Sequence, residues 1–155
     1  MAAAGFVATS GAAQALAAAT AKTILAVVPS TGRTLTVTEL SVSFDGVTAS
    51  AVPVLVELCT STQATAGTST GGTISQVRGR PTTVGATSAI NYTVEPTVLT
   101  ATRQWLVTPN GGLYTVQFPL GREPEADATT IKAVALRITA PAIVNVRGYV
   151  EFEQE

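Results

Sequence analysis

Along most of this chain apolar residues recur at every second position in short runs, and Gly, Pro, Asn or Ser ends each run. That is the pattern of short antiparallel strands joined by turns. "TILAVVPS" predicts a first strand, closed by Pro29, Ser30 and Gly32. In "RTLTVTELSVSFDG" the apolar phase changes: Leu35 and Val37 occupy odd positions, whereas Leu40, Val42 and Phe44 occupy even ones. Strand side chains alternate between faces, so a phase change at Thr38-Glu39 predicts a β-bulge or a crossing from one sheet to another. "VPVLVELCT" places Val52, Val54, Val56 and Leu58 on one face, with Pro53 marking an edge or a strand start.

Residues 61–72, "STQATAGTSTGG", show no apolar period and predict a long loop. A weaker strand in "TISQVRGRP" ends at Pro81, and "SAINYTVEP" puts Ile90, Tyr92 and Val94 on one face. "RQWLV" and "LYTVQF" flank "TPNGG". Asn110-Gly111 supplies the positive φ angles that a tight turn needs, so the two segments predict a β-hairpin. "PLGREPEADATT" then leads to the last two strands, "IKAVALRIT" and "AIVNVRGYVEFEQ". In the final one, Val144, Val146, Val150 and Phe152 alternate with Asn145, Arg147, Tyr149, Glu151 and Glu153, which predicts one buried and one wet face.

Strands of this spacing, with no convincing amphipathic helix, predict an all-β fold. The expected architecture is an antiparallel double-sheet β-sandwich, a jelly roll in the first place and an immunoglobulin-like sandwich in the second. The immunoglobulin framework of two cysteines around a tryptophan is missing, because Cys59 is the single cysteine. Residues 1–21, "MAAAGFVATSGAAQALAAATA", are rich in small residues and lack the basic start of a secretory signal. They predict an extended Ala-rich N-terminal arm on a sandwich domain of residues 22–155, with a helical turn or two between Gln14 and Lys22. Such an arm frays unless it is pinned against its own domain or a neighbouring subunit. As an arm it would use Phe6, Val7 and Leu16 as apolar anchors in a partner's grooves, and its removal would leave the sandwich folded.

Composition agrees with the strand pattern: 19 valines, 6 isoleucines and 26 threonines are β-branched residues that favour strands. Charged residues make up 12% of the chain where about 25% is usual, so the surface is built largely from Thr, Ser, Ala and Gly. A net charge of −1 with 9 Lys+Arg provides no basic footprint for a phosphate backbone, and no nucleic-acid partner is expected. No run of ~18 apolar residues is present to span a membrane as a helix. So little charge removes the self-repulsion that keeps monomers apart, which points to a protein that lives in an assembly.

The chain contains no histidine, which removes the commonest general base and the commonest metal ligand. Cys59 has Leu58 and Thr60 as neighbours and no cation to activate it, so it reads as a small core residue. Gly71-Gly72 and Gly111-Gly112 lack the Lys-Ser/Thr of a phosphate loop and read as turns. Paired carboxylates, Glu123 with Glu125 or the C-terminal set Glu151, Glu153 and Glu155, are the remaining catalytic option. Both lie where solvated surface is expected, and the chain is read as a non-enzyme without cofactor or metal. Trp105, on an arm of the hairpin, is expected in packing or at an interface.

"WLVTPNGGLYTVQFPLGREPE" and "ALRITAPAIVNVRGYVEFE" follow "TVTELSVSFDG" and "VELCTSTQATAGT" in the chain. This order of motifs, over residues 23–153, is similar to a group of small structural proteins encoded by tailed phages of actinobacteria. The resemblance implies a virion component: a jelly-roll-like decoration or cement protein on the capsid surface that stabilises the major capsid protein shell. It further implies self-association, commonly as a homotrimer, an extended arm over the shell, and no catalytic residue. Arg78, Arg80, Trp105, Arg122 and Glu123 are the candidates for intersubunit contacts. The alternative is a carbohydrate- or receptor-binding module of a tail or head fibre, using residues 61–72 and Trp105.

Overall fold

The computed structural model describes residues 3–45, 52–63 and 67–155. In chain order these form β1 (Ala4–Thr9), β2 (Gln14–Leu16), β3 (Ala21–Pro29), β4 (Leu35–Asp45), β5 (Val54–Ser61), β6 (Thr68–Gly71) and β7 (Ile74–Arg78). There follow β8 (Ala86–Val94), β9 (Thr100–Val107), β10 (Leu113–Gln117), β11 (Glu125–Ala126), β12 (Ala133–Thr139) and β13 (Val144–Gln154), with a 3-10 turn at Pro109–Gly111. The strands make two sheets. One, the β1 sheet, runs β10-β4-β13-β1-β7, with β11 also on β4 and β2 also on β13. The other, the β3 sheet, runs β6-β8-β3-β12-β5-β9.

Eight of these strands, β1, β3, β4, β5, β9, β10, β12 and β13, pair as first with eighth, second with seventh, third with sixth and fourth with fifth. The eighth also lies beside the third and the seventh beside the fourth, which completes two four-stranded sheets. One long antiparallel ribbon wrapped in this way is the jelly roll. β6, β7 and β8 are inserted between the fourth and fifth strands; β8 and β6 widen the β3 sheet, and β7 widens the β1 sheet.

Alternation along the strands sends Phe6, Leu40, Val150 and Phe152 of one sheet against Leu25, Val56, Leu58 and Leu136 of the other, all at most 2% exposed. Phe6 and Phe152 stack with ring centres 5.7 Å apart. Gly148 faces inward against the other sheet: a Cβ there would lie 3.0 Å from Ile24 Cδ1 and 3.1 Å from Leu136 Cδ2. The phase change in β4 is a bulge. β13 pairs Glu151 with Glu39 but the following Phe152 with Val37, so Thr38 is the extra residue. Leu35, Val37, Leu40 and Val42 thereby all reach the core.

The first 21 residues are not an arm outside the sandwich. β1 and β2 line one side of β13, and between them Ser10 N donates to Gly148 O (2.8 Å) while Gly148 N donates to Ser10 Oγ (2.9 Å). The long last strand would otherwise bury or expose an unpaired row of backbone groups, and the N-terminal segment supplies the partners. Phe6 and Leu16 are each 1% exposed in the molecule's own core, and Val7 is half-buried on the outer side of β1. None of the three projects as an anchor. The segment from Gln14 to Lys22 is strand at both ends and not helical, with Gln14 Nε2 donating to Ile24 O (2.8 Å).

Three further expectations change. The predicted hairpin is an arch: β9 pairs with β5 and β10 pairs with β4, so the chain crosses from one sheet to the other through the 3-10 turn and Gly112, whose φ is +74°. Trp105 and Tyr114 then face each other across the sandwich, ring centres 6.3 Å apart, instead of lying side by side. The loop at 61–72 contains β6, which adds to the β8 edge, while residues 64–66 of that loop lie outside the described set. Ile90 and Tyr92 do not share a face. Asn91, with φ +52°, breaks the alternation, so Ile90 joins the main core and Tyr92 the opposite side of the sheet.

Candidate functional site

The alternation that buries Val56, Leu58 and Leu136 delivers Glu57 and Arg137 to the outer face of the β3 sheet, directly opposite each other on β5 and β12. Arg137 Nε donates to Glu57 Oε2 at 2.7 Å, and Gln104 Nε2 of β9 donates to Glu57 Oε1 at 2.6 Å. Glu57 is only 4% exposed. Burial pushes its carboxyl up, but the hydrogen bonds from Arg137 and Gln104 and the Arg137 charge outweigh burial and hold it below its ordinary value. On the far side of Arg137, Thr23 of β3 bonds the Glu95 carboxylate. The polar groups of this face therefore satisfy one another.

The outer face of the β1 sheet is organised in rows that cross the strands. Gln117, Glu39 and Glu151 form one row; Thr115, Ser41 and Tyr149 form the next; Leu113, Ser43 and Arg147 form a third. Tyr149 donates its hydroxyl to Glu39 Oε1, and Gln117 Nε2 donates to Glu39 Oε2 at 2.7 Å. The bond to Glu39, then burial and the Glu39 charge, push the Tyr149 phenol up. Arg78 pairs with Glu153 and lies 3.8 Å from Glu151. Two open depressions flank Tyr149: one of about 230 Å³ lined by Ser41, Ser43, Arg147 and Tyr149, and one of about 290 Å³ lined by Glu39, Arg78, Gln117 and Glu151. Glu39 and Glu151 are directly opposed, and both Glu39 oxygens already accept hydrogen bonds from side chains of the same face. Among the described residues no three Cys, Asp or Glu side chains gather as a metal-ligand set.

One end of the jelly roll is apolar. Val52, Pro109, Pro141 and Ile143, from the connections that follow β4, β9 and β12, line a common crevice. Ile143 is 78% exposed there; Leu106 and Leu113, which flank the β9–β10 arch and are 72% and 68% exposed, instead face outward from opposite sheets.

The residues singled out for intersubunit contacts do not converge. Arg78 is drawn into pairs with its own chain's glutamates, and Arg80 is exposed beyond the Gly79 turn. Trp105, Arg122 and Glu123 belong to the opposite side of the sandwich, around β9, β10 and β11. Trp105 points inward and packs half-buried against the core, so it offers no exposed platform for a sugar ring. Arg103 is the unanticipated residue there: its guanidinium lies over the Phe118 ring at 4.7 Å and donates to Arg122 O at 2.6 Å. The Glu57–Arg137 pair was signalled in the sequence by a charge within each of two apolar runs, "VELCT" and "VALRIT". A charge at a buried strand position requires a partner. No protein-family model, curated protein or solved structure matches this chain.

Proposed function

We propose that the chain is a non-enzymatic structural protein of a phage virion, a decoration subunit that sits on the capsid surface as a homotrimer and stabilises the shell of the major capsid protein. The observation that carries this reading is the apolar crevice at one end of the jelly roll, where Val52, Pro109, Pro141 and Ile143 meet and Ile143 is 78% exposed. Exposed apolar groups gathered at one place mark a contact surface. Glu57, Arg137 and Gln104 on one sheet face, and Glu39, Gln117 and Tyr149 on the other, are already engaged with one another. The motif order shared with phage structural proteins supports the same reading. Symmetry would multiply a modest contact around a shell, so no single interface has to be strong.

Co-sedimentation with expanded empty capsids tests it. The parent protein should pellet with the capsids, and Ile143→Asp and Ile143→Lys should each abolish pelleting without lowering the thermal midpoint. Failure of the parent protein to bind, or binding unaffected by both substitutions, sinks the proposal. A second reading, a carbohydrate- or receptor-binding module, now rests on the outer face of the β1 sheet rather than on Trp105. Its support is the set of hydroxyl, amide and guanidinium groups around Tyr149 and the two depressions beside them. Glycan-array binding that disappears in Tyr149→Ala would favour it.

A further inference from the structure

Residues 95–99 cross the outer face of the β3 sheet, from β8 near one side to β9 at the far edge. Beneath them Ala26, Cys59, Tyr92 and Ala135 form a small apolar cluster on the side of the sheet opposite the main core, with Leu99 packed onto it. Cys59 is fully buried, and burial pushes its thiol up to about 11.

This crossing is held differently from the strands under it. Among the described residues, none of its backbone groups joins another backbone group in a hydrogen bond. Its fastenings run through side chains. The Glu95 carboxylate accepts from Thr23 N at 2.8 and 2.9 Å and from Thr23 Oγ1 at 2.6 Å. Ser61 Oγ donates to Val98 O at 2.6 Å, and Thr97 Oγ1 donates to Gln63 Oε1 at 3.3 Å. Below, β12 pairs with β5 through an unbroken antiparallel ladder and with β3 through one that shifts register at Leu136/Arg137, where the Thr23 N–H turns to Glu95.

We propose that residues 95–99 act as a latch that opens while both sheets remain folded, and that opening converts Cys59 from a sealed thiol into a modification site for thiol-reactive compounds. Lifting the latch breaks a few side-chain hydrogen bonds and uncovers a small cluster, Ala26, Cys59, Tyr92 and Ala135, that lies apart from the main core. Segments with few backbone bonds and small apolar contacts are the ones that open below the global unfolding free energy. The Glu95–Thr23 and Ser61–Val98 contacts set how often this happens.

Cys59 is the only cysteine, so reaction with dithiobis(nitrobenzoate) reports on it alone. Its thiolate attacks the reagent's disulfide, forming a mixed disulfide and releasing one thionitrobenzoate anion. Labelling is followed across a urea series in the full chain. The rate should be nearly flat at low urea and rise steeply only when global unfolding takes over. Thr23→Val and Ser61→Ala should each raise the rate without urea roughly tenfold, the factor set by one lost buried hydrogen bond. Val37→Ala, on the other sheet and away from the latch, should lower the unfolding midpoint and leave the urea-free rate unchanged. A parent rate that follows the steep unfolding line down to zero urea overturns the proposal. So does a Val37→Ala variant that accelerates labelling as much as Thr23→Val.

Discussion

Glu57 and Arg137 place the heaviest electrostatic demand on the fold, because a carboxylate almost removed from water is stable only with its donors in place. Arg137→Met leaves Glu57 buried with Gln104 alone and should cost about 3 kcal/mol in urea unfolding. The pH dependence has a defined sign. Arg137 and Gln104 hold the folded-state carboxyl below its ordinary value of 4.5, so the pair contributes fully above that value and loses its contribution as pH falls through the lower folded one. Unfolding curves between pH 7 and 2 should therefore show an acid limb that is shallower in Glu57→Gln than in the parent protein. Both charges could be singled out in the sequence as intrusions into apolar runs. That they meet could not, because their contact depends on β5 and β12 being neighbours in one register.

At the scale of the element, β1 matters most. It lies between β13 and β7, and its Phe6 stacks on Phe152 in the centre of the core. Phe6→Ala should cost roughly 3–5 kcal/mol in the same assay. Removing residues 1–12 should yield an unfolded or aggregating chain by circular dichroism and size-exclusion chromatography, since it uncovers both neighbouring strands. The alternation "GFVAT" was present in the sequence, but the alanines around it carry too small an apolar signal to separate a strand from a frayed terminus. The irregularity in β4, by contrast, was legible to within two residues, because large side chains mark a phase change sharply; that it is a bulge and not a crossing between sheets follows from the pairing with β13. The "TPNGG" connection misled for a physical reason: a glycine-containing turn suits both a hairpin and an arch, and only the partners β5 and β4 distinguish them.

For the whole molecule, the first strand pairs with the last, and every other jelly-roll pair nests inside that closure. Such non-local topology must form with little local structure to guide it, so folding in stopped-flow should take milliseconds to seconds rather than microseconds. The same nesting brings Val52, Pro109, Pro141 and Ile143 together at one end of the sandwich, residues far apart in sequence that no local pattern marks as a shared surface. Sequence alone determined the strand character of most segments, the alternation of β13, the change of phase at Thr38-Glu39 and the lack of histidine chemistry, because each depends on residues within one short stretch. Tertiary structure alone decided which sheet each strand joined, that the N-terminal residues complete the β1 sheet, and which side chains cover Cys59. Those outcomes rest on hydrogen-bond partners and packing faces supplied by segments that can lie more than a hundred residues away, as Phe6 does from Phe152.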